Sequence, residues 1–356
     1  MSKEYDLPDL ATMGIEEEHF VVSKLTGDLV SLTEPQFKHL AENLGDKFSR
    51  EYKACQIELL TEPAIIADML YADITTSRQT ASLVLAEYGL TLFTGSTHPY
   101  GRWLDQPARE DARYSEIEAR LGQAVKQLLV SGLHIHIGTF DDSDTPIHRM
   151  AQYWPVTPIL IAANASSPMW EGQDTGCASY RRNILFGLGS QCPPPATSRA
   201  QYDAFIDQQV AVDAAKGESD LWLDIRPGRA GLNTVEMRAA DIAEDATSNV
   251  ALATFMQGLE FVARVKPRNL APFFDASTRH WLEQNCRLAA KHGLAAEIYD
   301  PYSQRPCSLR DFAADMLDIA RPGISASGNA NWFHIIENLI CPPDEALSTI
   351  QKPIAI

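Results

Sequence analysis

The sequence has no long apolar run. No stretch approaches the roughly 20 apolar residues that a membrane-spanning helix needs, and Thr157 to Ala165 is far too short. Positive charge is scarce as well: 30 Lys and Arg against 47 Asp and Glu leave a formal charge of -17. That balance excludes a general nucleic-acid or anionic-membrane binder, because phosphates are repelled overall. Cysteine is sparse and scattered (Cys55, Cys177, Cys192, Cys286, Cys307, Cys341), with no CxxC pair, so a disulfide scaffold is excluded. The six thiols read as reduced packing residues of a cytoplasmic protein. Also missing are the Gly-x-x-x-x-Gly-Lys-Ser/Thr loop, Gly-x-Gly-x-x-Gly before a helix and Gly-x-Ser-x-Gly, which leaves P-loop, Rossmann and nucleophile-elbow sites unsupported. The polar start Met1 to Asp6 does not read as a signal peptide. Without a Gly/Ser linker, a repeat or a low-complexity segment, 1–356 reads as one domain.

What is present suffices for a large core. The 356 residues are 45% hydrophobic and 22% charged, ordinary for a soluble globular enzyme. The spacing predicts strands over 13–23, 51–61, 90–95, 133–138, 221–226 and 234–238, with Thr26-Gly27-Asp28 as a hairpin-type turn. Helical periods run over 65–89, 117–130, 155–165, 246–265 and 278–293. Residues 166–200, rich in Ser, Gly and Pro with embedded Arg and Tyr, read as a functional loop region. Strands punctuated by single long helices, without regular βα alternation, favour an α+β fold.

The first strand carries an anomaly. Ile15, Phe20, Val21 and Val22 belong to a buried or half-buried strand, yet Glu16, Glu17 and Glu18 stand among them. Side chains alternate along a strand, so Glu16 and Glu18 share one face about 7 Å apart and Glu17 points to the other. Two carboxylates on one rigid face repel, and a divalent cation such as Mg²⁺, a hard ion that prefers oxygen ligands, is the simplest partner for them. Glu17, pointing away, is expected to be expendable. Glu58 within Ile57-Glu58-Leu59-Leu60, with Glu51 upstream, is a second acid that needs a partner, either a structural Arg or a metal. His134 and His136 share a strand face, as a packed pair or as ligands, and the nearby acids favour an oxygen-rich Mg²⁺ site over zinc. Arg181, beside Ser179 and Tyr180, suits bidentate recognition of a carboxylate or phosphate. Asp224 with Arg226, and Glu236 with Arg238, each put an acid and a base on one strand face, as cross-strand ion pairs or as a cleft for metal and polyphosphate.

Taken in order, these segments resemble the carboxylate–amine ligase family, the bacterial type 2 glutamate–cysteine ligases and their relatives. The matching pieces are Gly14-Ile15-Glu16-Glu17-Glu18, Gln56-Ile57-Glu58-Leu59-Leu60-Thr61, Gly132-Leu133-His134-Ile135-His136-Ile137-Gly138, Ala165-Ser166-Ser167-Pro168-Met169-Trp170-Glu171-Gly172, Asp174-Thr175-Gly176, Ser179-Tyr180-Arg181, Asp224-Ile225-Arg226-Pro227 and Thr234-Val235-Glu236-Met237-Arg238. Asn285-Cys286-Arg287, with Ala290 and His292-Gly293-Leu294, looks like the family's late helical motif. The resemblance implies a fold like the catalytic domain of glutamine synthetase, a curved, mostly antiparallel sheet with ATP and metal ions on its concave face and helices outside. It also implies that ATP phosphorylates a substrate carboxylate, glutamate or similar, and that an amine attacks the acyl phosphate to give an amide, ADP and phosphate.

By the family's motif, Glu16, Glu18, Glu51, Glu58, His134 and Glu236 carry over as ligands of Mg²⁺, with Mn²⁺ as an alternative ion. Arg238 carries over as the group contacting the transferred phosphate. Arg181 and Arg226 carry over as candidates for the substrate carboxylate or the phosphate, with Tyr180 beside them. Asn285 and Arg287 are candidates on the nucleotide side. His136 either joins the metal shell or deprotonates the amine, a choice left open. After Gly323 the family carries a basic stretch that Ser325 to Trp332 lacks, and the lost charges are expected near the C-terminal part of the site or at an interface. Cys286 stands where the family tends to place an aromatic, and both departures bear on amine specificity. The implied partners are small molecules, with homo-oligomerisation open. The alternatives are a Mg²⁺-dependent phosphotransferase of the guanidino-kinase kind, an ATP hydrolase, or a non-catalytic metabolite-binding protein.

Overall fold

The computed structural model describes residues 10–343 apart from 110–111, 140–142, 190, 229–231 and 266–275. Its elements, in order, are β1 (Met13–Ser23), α1 (Glu34–Leu44), β2 (Phe48–Arg50), β3 (Gln56–Leu60), α2 (Ala67–Ala86), β4 (Leu90–Phe93), α3 (Ala112–Leu121), α4 (Gln123–Lys126), β5 (Gly132–Gly138), α5 (Thr145–Tyr153) and α6 (Thr157–Ala163). They continue with the short hairpin β6 (Met169–Trp170) and β7 (Gln173–Asp174), then α7 (Tyr180–Phe186), α8 (Arg199–Ala211), β8 (Ile225–Pro227) and β9 (Thr234–Asp241). The remainder is α9 (Ala246–Val265), α10 (Ala276–His292), the hairpin β10 (Glu297–Asp300) and β11 (Arg305–Ser308), α11 (Leu309–Ala326) and α12 (Phe333–Ile340).

β1 is the hub of an open antiparallel sheet of order β2-β3-β1-β5-β9-β8, so the α+β expectation holds. One edge of β1 pairs with β3, while on the other β5 pairs with Met13 to Glu17 and β4 with Phe20 to Ser23. Each central strand alternates cleanly. Met13, Ile15 and Val21 of β1, Ile57 and Leu59 of β3, Leu133, Ile135 and Ile137 of β5 and Val235, Met237 and Ala239 of β9 all enter one apolar core. The residues between them, Glu16, Glu18, Glu58, His134, His136, Glu236 and Arg238, share the other face, because the register sets Glu18 opposite Glu58, Glu16 opposite His134 and His136 opposite Glu236.

Helices α2 and α9 pack against the apolar face, and α11 lies against α9. There the helix backbones nearly touch: a Cβ on Gly323 would overlap the Gly258 carbonyl oxygen and lie 2.7 Å from Phe261 Cβ. Beyond α11, Asn329 accepts from the Ala67 N–H (2.9 Å) and donates to Ile65 O (3.0 Å) and Gln257 Oε1 (2.8 Å), capping α2. The atypical Ser325 to Trp332 segment therefore fastens the back of the sheet, away from the acids.

Several boundaries differ from the sequence reading. Glu51 lies in a turn before β3, because Ala54 and Cys55 bond to the loop residues Pro107 and Leu32 and to Val21. The helix expected over 117–130 is split by Gly122, whose φ of 63° is left-handed. Residues 221–224 are not strand: the Asp224 N–H bonds to Gln191 O, and β8 begins at Ile225. The 166–200 loop contains a hairpin and α7, and two helices, α11 and α12, follow the last one expected. Among the described residues no helix is long and apolar enough to cross a membrane.

Candidate active site

The acid-bearing face forms a continuous polar floor. His134 is its centre: Nδ1 lies 3.0 Å from Glu16 Oε2, 3.8 Å from Glu58 Oε1 and 3.9 Å from Glu236 Oε1, and Nε2 lies 3.5 Å from Glu18 Oε1. His136 Nε2 is 3.2 Å from Glu16 Oε1, yet off the line of a hydrogen bond, so it is a buried ring nitrogen without a partner. Ligand atoms gather within 4.8 Å in three overlapping sets: Glu16, Glu58 and His134; Glu16, His136 and Glu236; Glu18, Glu51 and Glu58. All six residues expected as metal ligands are in these sets, joined by His136.

Burial alone would push the Glu16 carboxyl up, but the hydrogen-bonded His134 and the adjacent His136 imidazole hold it well below the usual range. Burial is likewise outweighed at Glu236, held low by Arg238 and Arg226. At the other end of the floor burial and like charge win instead. Burial, then the charge of Glu18, pushes Glu51 up to about 8 against the weaker pull of the Tyr52 N–H and Arg238. Burial, then Glu51, Glu16 and Glu18, pushes Glu58 well above its ordinary value. A divalent cation among Glu18, Glu51 and Glu58 would relieve this repulsion, and the mixture of carboxylates with imidazoles suits Mg²⁺ or Mn²⁺.

Above the floor opens a cleft of about 380 Å³, whose walls add Arg50, Arg109, Arg181, Arg182, Arg226 and Arg238 to Glu18, Glu51, Glu58 and His134. Tyr114, Ile117, Leu221 and Trp222 give it an apolar side. Arg238 is bonded to Glu236 and remains partly open to the cleft. Arg181 is buried and donates to the carbonyls of Arg238 (3.2 Å), Ala239 (3.3 Å) and Ala240 (3.1 Å), leaving a buried Nε without a partner. Its path explains Gly132: a Cβ there would lie 2.6 Å from Arg181 Cζ. The Gly132 N–H meanwhile donates to Glu18 Oε2 at 2.6 Å.

Other expected residues sit elsewhere or are already engaged. Arg226 lines the cleft but grips Glu236 with two bonds, 2.7 and 3.1 Å, which answers the ion-pair alternative for that strand pair. Tyr180 packs on Trp170, with ring centroids 5.8 Å apart, and does not line the cleft. The Asn285 amide is engaged at both ends by the Tyr299 backbone (2.8 and 3.0 Å), so it anchors β10. Arg287 lies over Phe186 and lines a neighbouring cavity of about 260 Å³, separated from the acids by Gln191 and Asp224. Glu17 overturns the expectation that it is expendable: it points away from the cleft as foreseen, but it is fully buried and bonded to Arg78, His19 and Asn249.

Sequence reasoning also passed over Arg50, Arg109, Arg182 and Trp222. Only Arg182 left a signal, since the acid Asp224 in an apolar segment requires a buried cation, and Arg182 Nη2 meets it at 2.5 Å.

Residues 12–338 match the glutamate–cysteine ligase family 2. The chain belongs to that family. Similar family members include the Jannaschia sp. (strain CCS1) protein named "Putative glutamate--cysteine ligase 2", 30% identical over 322 residues, or 89% of this chain and 83% of the relative. A protein of the same name from Paracoccus denitrificans (strain Pd 1222) is 31% identical over 310 residues, 86% of this chain and 81% of the relative. Among solved structures, the glutamate–cysteine ligase of Francisella tularensis in complex with AMP superposes with a TM-score of 0.70 at 15% identity, covering 97% of this chain and 86% of that one. A bifunctional glutathione synthetase from Pasteurella multocida gives 0.72 at 15% identity, covering 96% of this chain and 49% of that one. The fold is shared with these enzymes, and the family is one of amide-forming carboxylate–amine ligases.

Proposed function

We propose that this protein is an ATP- and divalent-metal-dependent ligase that joins a substrate carboxylate, glutamate or a similar acid, to an amine through an acyl phosphate, with release of ADP and phosphate. The observation that carries the reading is the gathering of seven potential ligands from four strands and one turn into three overlapping sets on one sheet face. Glu16, Glu18, Glu51, Glu58, His134 and Glu236 would hold Mg²⁺ or Mn²⁺, with His136 completing the set beside Glu236. Bound there, the metal supplies positive charge that lets two anions, ATP and the carboxylate, approach.

The chain's own cations do the rest. Arg238, oriented by Glu236, faces the cleft where charge on a transferring phosphoryl group has to be stabilised. Arg181 offers its unpartnered Nε–H to the substrate carboxylate or phosphate. The antiparallel sheet, acidic in front and covered by helices behind, supports extending the proposal to a glutamine synthetase-like catalytic fold, in a cytoplasmic enzyme of small-molecule substrates.

The test is product-based. The protein is incubated with ATP, Mg²⁺ and pools of amino acids and amines, glutamate with cysteine first, and new amides are identified by mass. ADP formation that requires both an acid and an amine is the expected result. ADP formed equally well without amine, or an accumulating phosphorylated product, would replace the ligase with a hydrolase or a phosphotransferase.

A further inference from the structure

Glu16 and Glu18 face the cleft; the acid between them is held from behind by two helices, α2 and α9, and by His19 of its own strand. Glu17 is fully buried on the helix-covered face of β1. Its Oε2 accepts from Arg78 Nε at 2.6 Å and lies 3.2 Å from His19 Nε2, and its Oε1 accepts from Arg78 Nη2 at 2.9 Å and Asn249 Nδ2 at 2.7 Å. His19 in turn bonds Thr94 Oγ1, just past β4, at 3.0 Å. Arg78 belongs to α2 and also donates to Glu244 O at 2.5 Å and Ala243 O at 3.3 Å, the turn that leads into α9. Asn249 belongs to α9 itself.

Stability alone does not call for this arrangement. A buried ion pair is often matched or exceeded by apolar residues of similar volume, and Ile15 on the same face shows that an apolar side chain fits. What distinguishes position 17 is its place in the chain. β3 and β5 hold the β1 backbone at its edges, and a side chain anchored behind the sheet at position 17 bears on the tilt of the strand that carries residues 16 and 18. Metal ligation tolerates displacements of only about 0.2 Å, and partners behind the ligands typically carry about 10- to 100-fold in metal affinity.

We infer that Glu17 and Arg78 are positioning residues, a clamp on the back of β1 that sets Glu16 and Glu18 at the spacing a shared divalent cation requires. The inference rests on the metal-binding reading of the acidic cleft. It also separates geometry from charge. Were charge alone at work, Glu17→Gln would leave a cation behind the acids and weaken metal binding, whereas Arg78→Met would leave an anion and strengthen it. Positioning requires both substitutions to weaken it.

The experiment is a Mn²⁺ titration of the metal-stripped full chain, following free Mn²⁺ by electron paramagnetic resonance, with thermal melts of each variant. Wild type is expected to bind. Glu17→Gln and Arg78→Met are each expected to raise the Mn²⁺ Kd tenfold or more, and Arg78→Lys, which keeps the charge and part of the hydrogen bonding, to recover part of the loss. Should Arg78→Met not fold, Glu17→Gln and Arg78→Lys carry the comparison. Folded variants with a Kd within twofold of wild type, or shifts of opposite sign, would overturn the clamp while leaving the metal site intact. Failure of wild type to bind Mn²⁺ would instead remove the metal reading, and the clamp's role with it.

Discussion

Filling the acidic cleft with Mg²⁺ at neutral pH is expected to expel protons. Glu51, with its pKa pushed up to about 8, is protonated in about nine metal-free molecules in ten at pH 7. Glu58 is raised well above its ordinary value as well, by burial and then by Glu51, Glu16 and Glu18. A carboxylate ligates Mg²⁺ only when ionised, so loading the set of Glu18, Glu51 and Glu58 at pH 7 releases the Glu51 proton. Both pKa values are raised in the metal-free form, so affinity climbs as pH rises and levels off once pH passes the raised values. From pH 6 to 7, each released proton strengthens binding about 10-fold, or about 1.4 kcal/mol. The assay is calorimetric titration of Mg²⁺ in buffers of different ionisation enthalpy, whose dependence on buffer counts the protons. Glu51→Gln should lower the count by about one. No buffer dependence at pH 7, together with an affinity flat between pH 6 and 7, would refute the reasoning, because the acids would then already be ionised without metal.

In metal-free protein Glu51→Gln is expected to be more stable than wild type, by little near pH 4.5 and by up to about 5 kcal/mol above pH 8. The sign follows from the raised pKa: wild type keeps the stability of the protonated acid at low pH and loses it as pH rises through about 8, while Gln keeps it throughout. Melts in chelator from pH 5 to 9 check this, and a constant difference would count against it. Gly132→Ala should cost about 1–3 kcal/mol by driving the Arg181 guanidinium from its carbonyl contacts. Combining it with Arg181→Ala in a double-mutant cycle should show strong coupling, and additive effects would dismiss the steric account. Gly323→Ala meets backbone rather than a movable side chain, so denaturant unfolding should show a loss of about 2 kcal/mol or more, with the change confined to stability.

The alternation of apolar and acidic residues in β1 was enough to put Glu16 and Glu18 on one face, and the His-x-His spacing did the same for His134 and His136. Their assembly was beyond any single segment. Glu58 meets Glu18, His134 meets Glu16 and Glu236 meets His136 only through the order β3-β1-β5-β9, which links residues more than 200 positions apart. Arg226 illustrates the limit from the other side: its strand position was legible, but its bidentate grip on Glu236 depends on β8 pairing with β9. Glu17, expected to be expendable because it points away from the polar face, shows the same limit: α2 and α9 cover its side with a cation and an amide. Arg50 ends the three-residue β2 and Arg109 lies in a loop, too little regular structure for periodicity to mark direction.

The cap on α2 comes from a residue 262 positions later, Asn329. A ribosome releases this chain N-terminus first, so β1, β3 and α2 are outside long before that cap exists. At about 5–20 residues per second the interval is roughly ten to fifty seconds. Throughout it the strand bearing Glu16 and Glu18 can pair with β3, while the helix behind it starts without the amide that receives the Ala67 N–H. Glu16, Glu18 and Glu58 are therefore in place early, and the amide that fastens the helix behind them arrives only with Asn329.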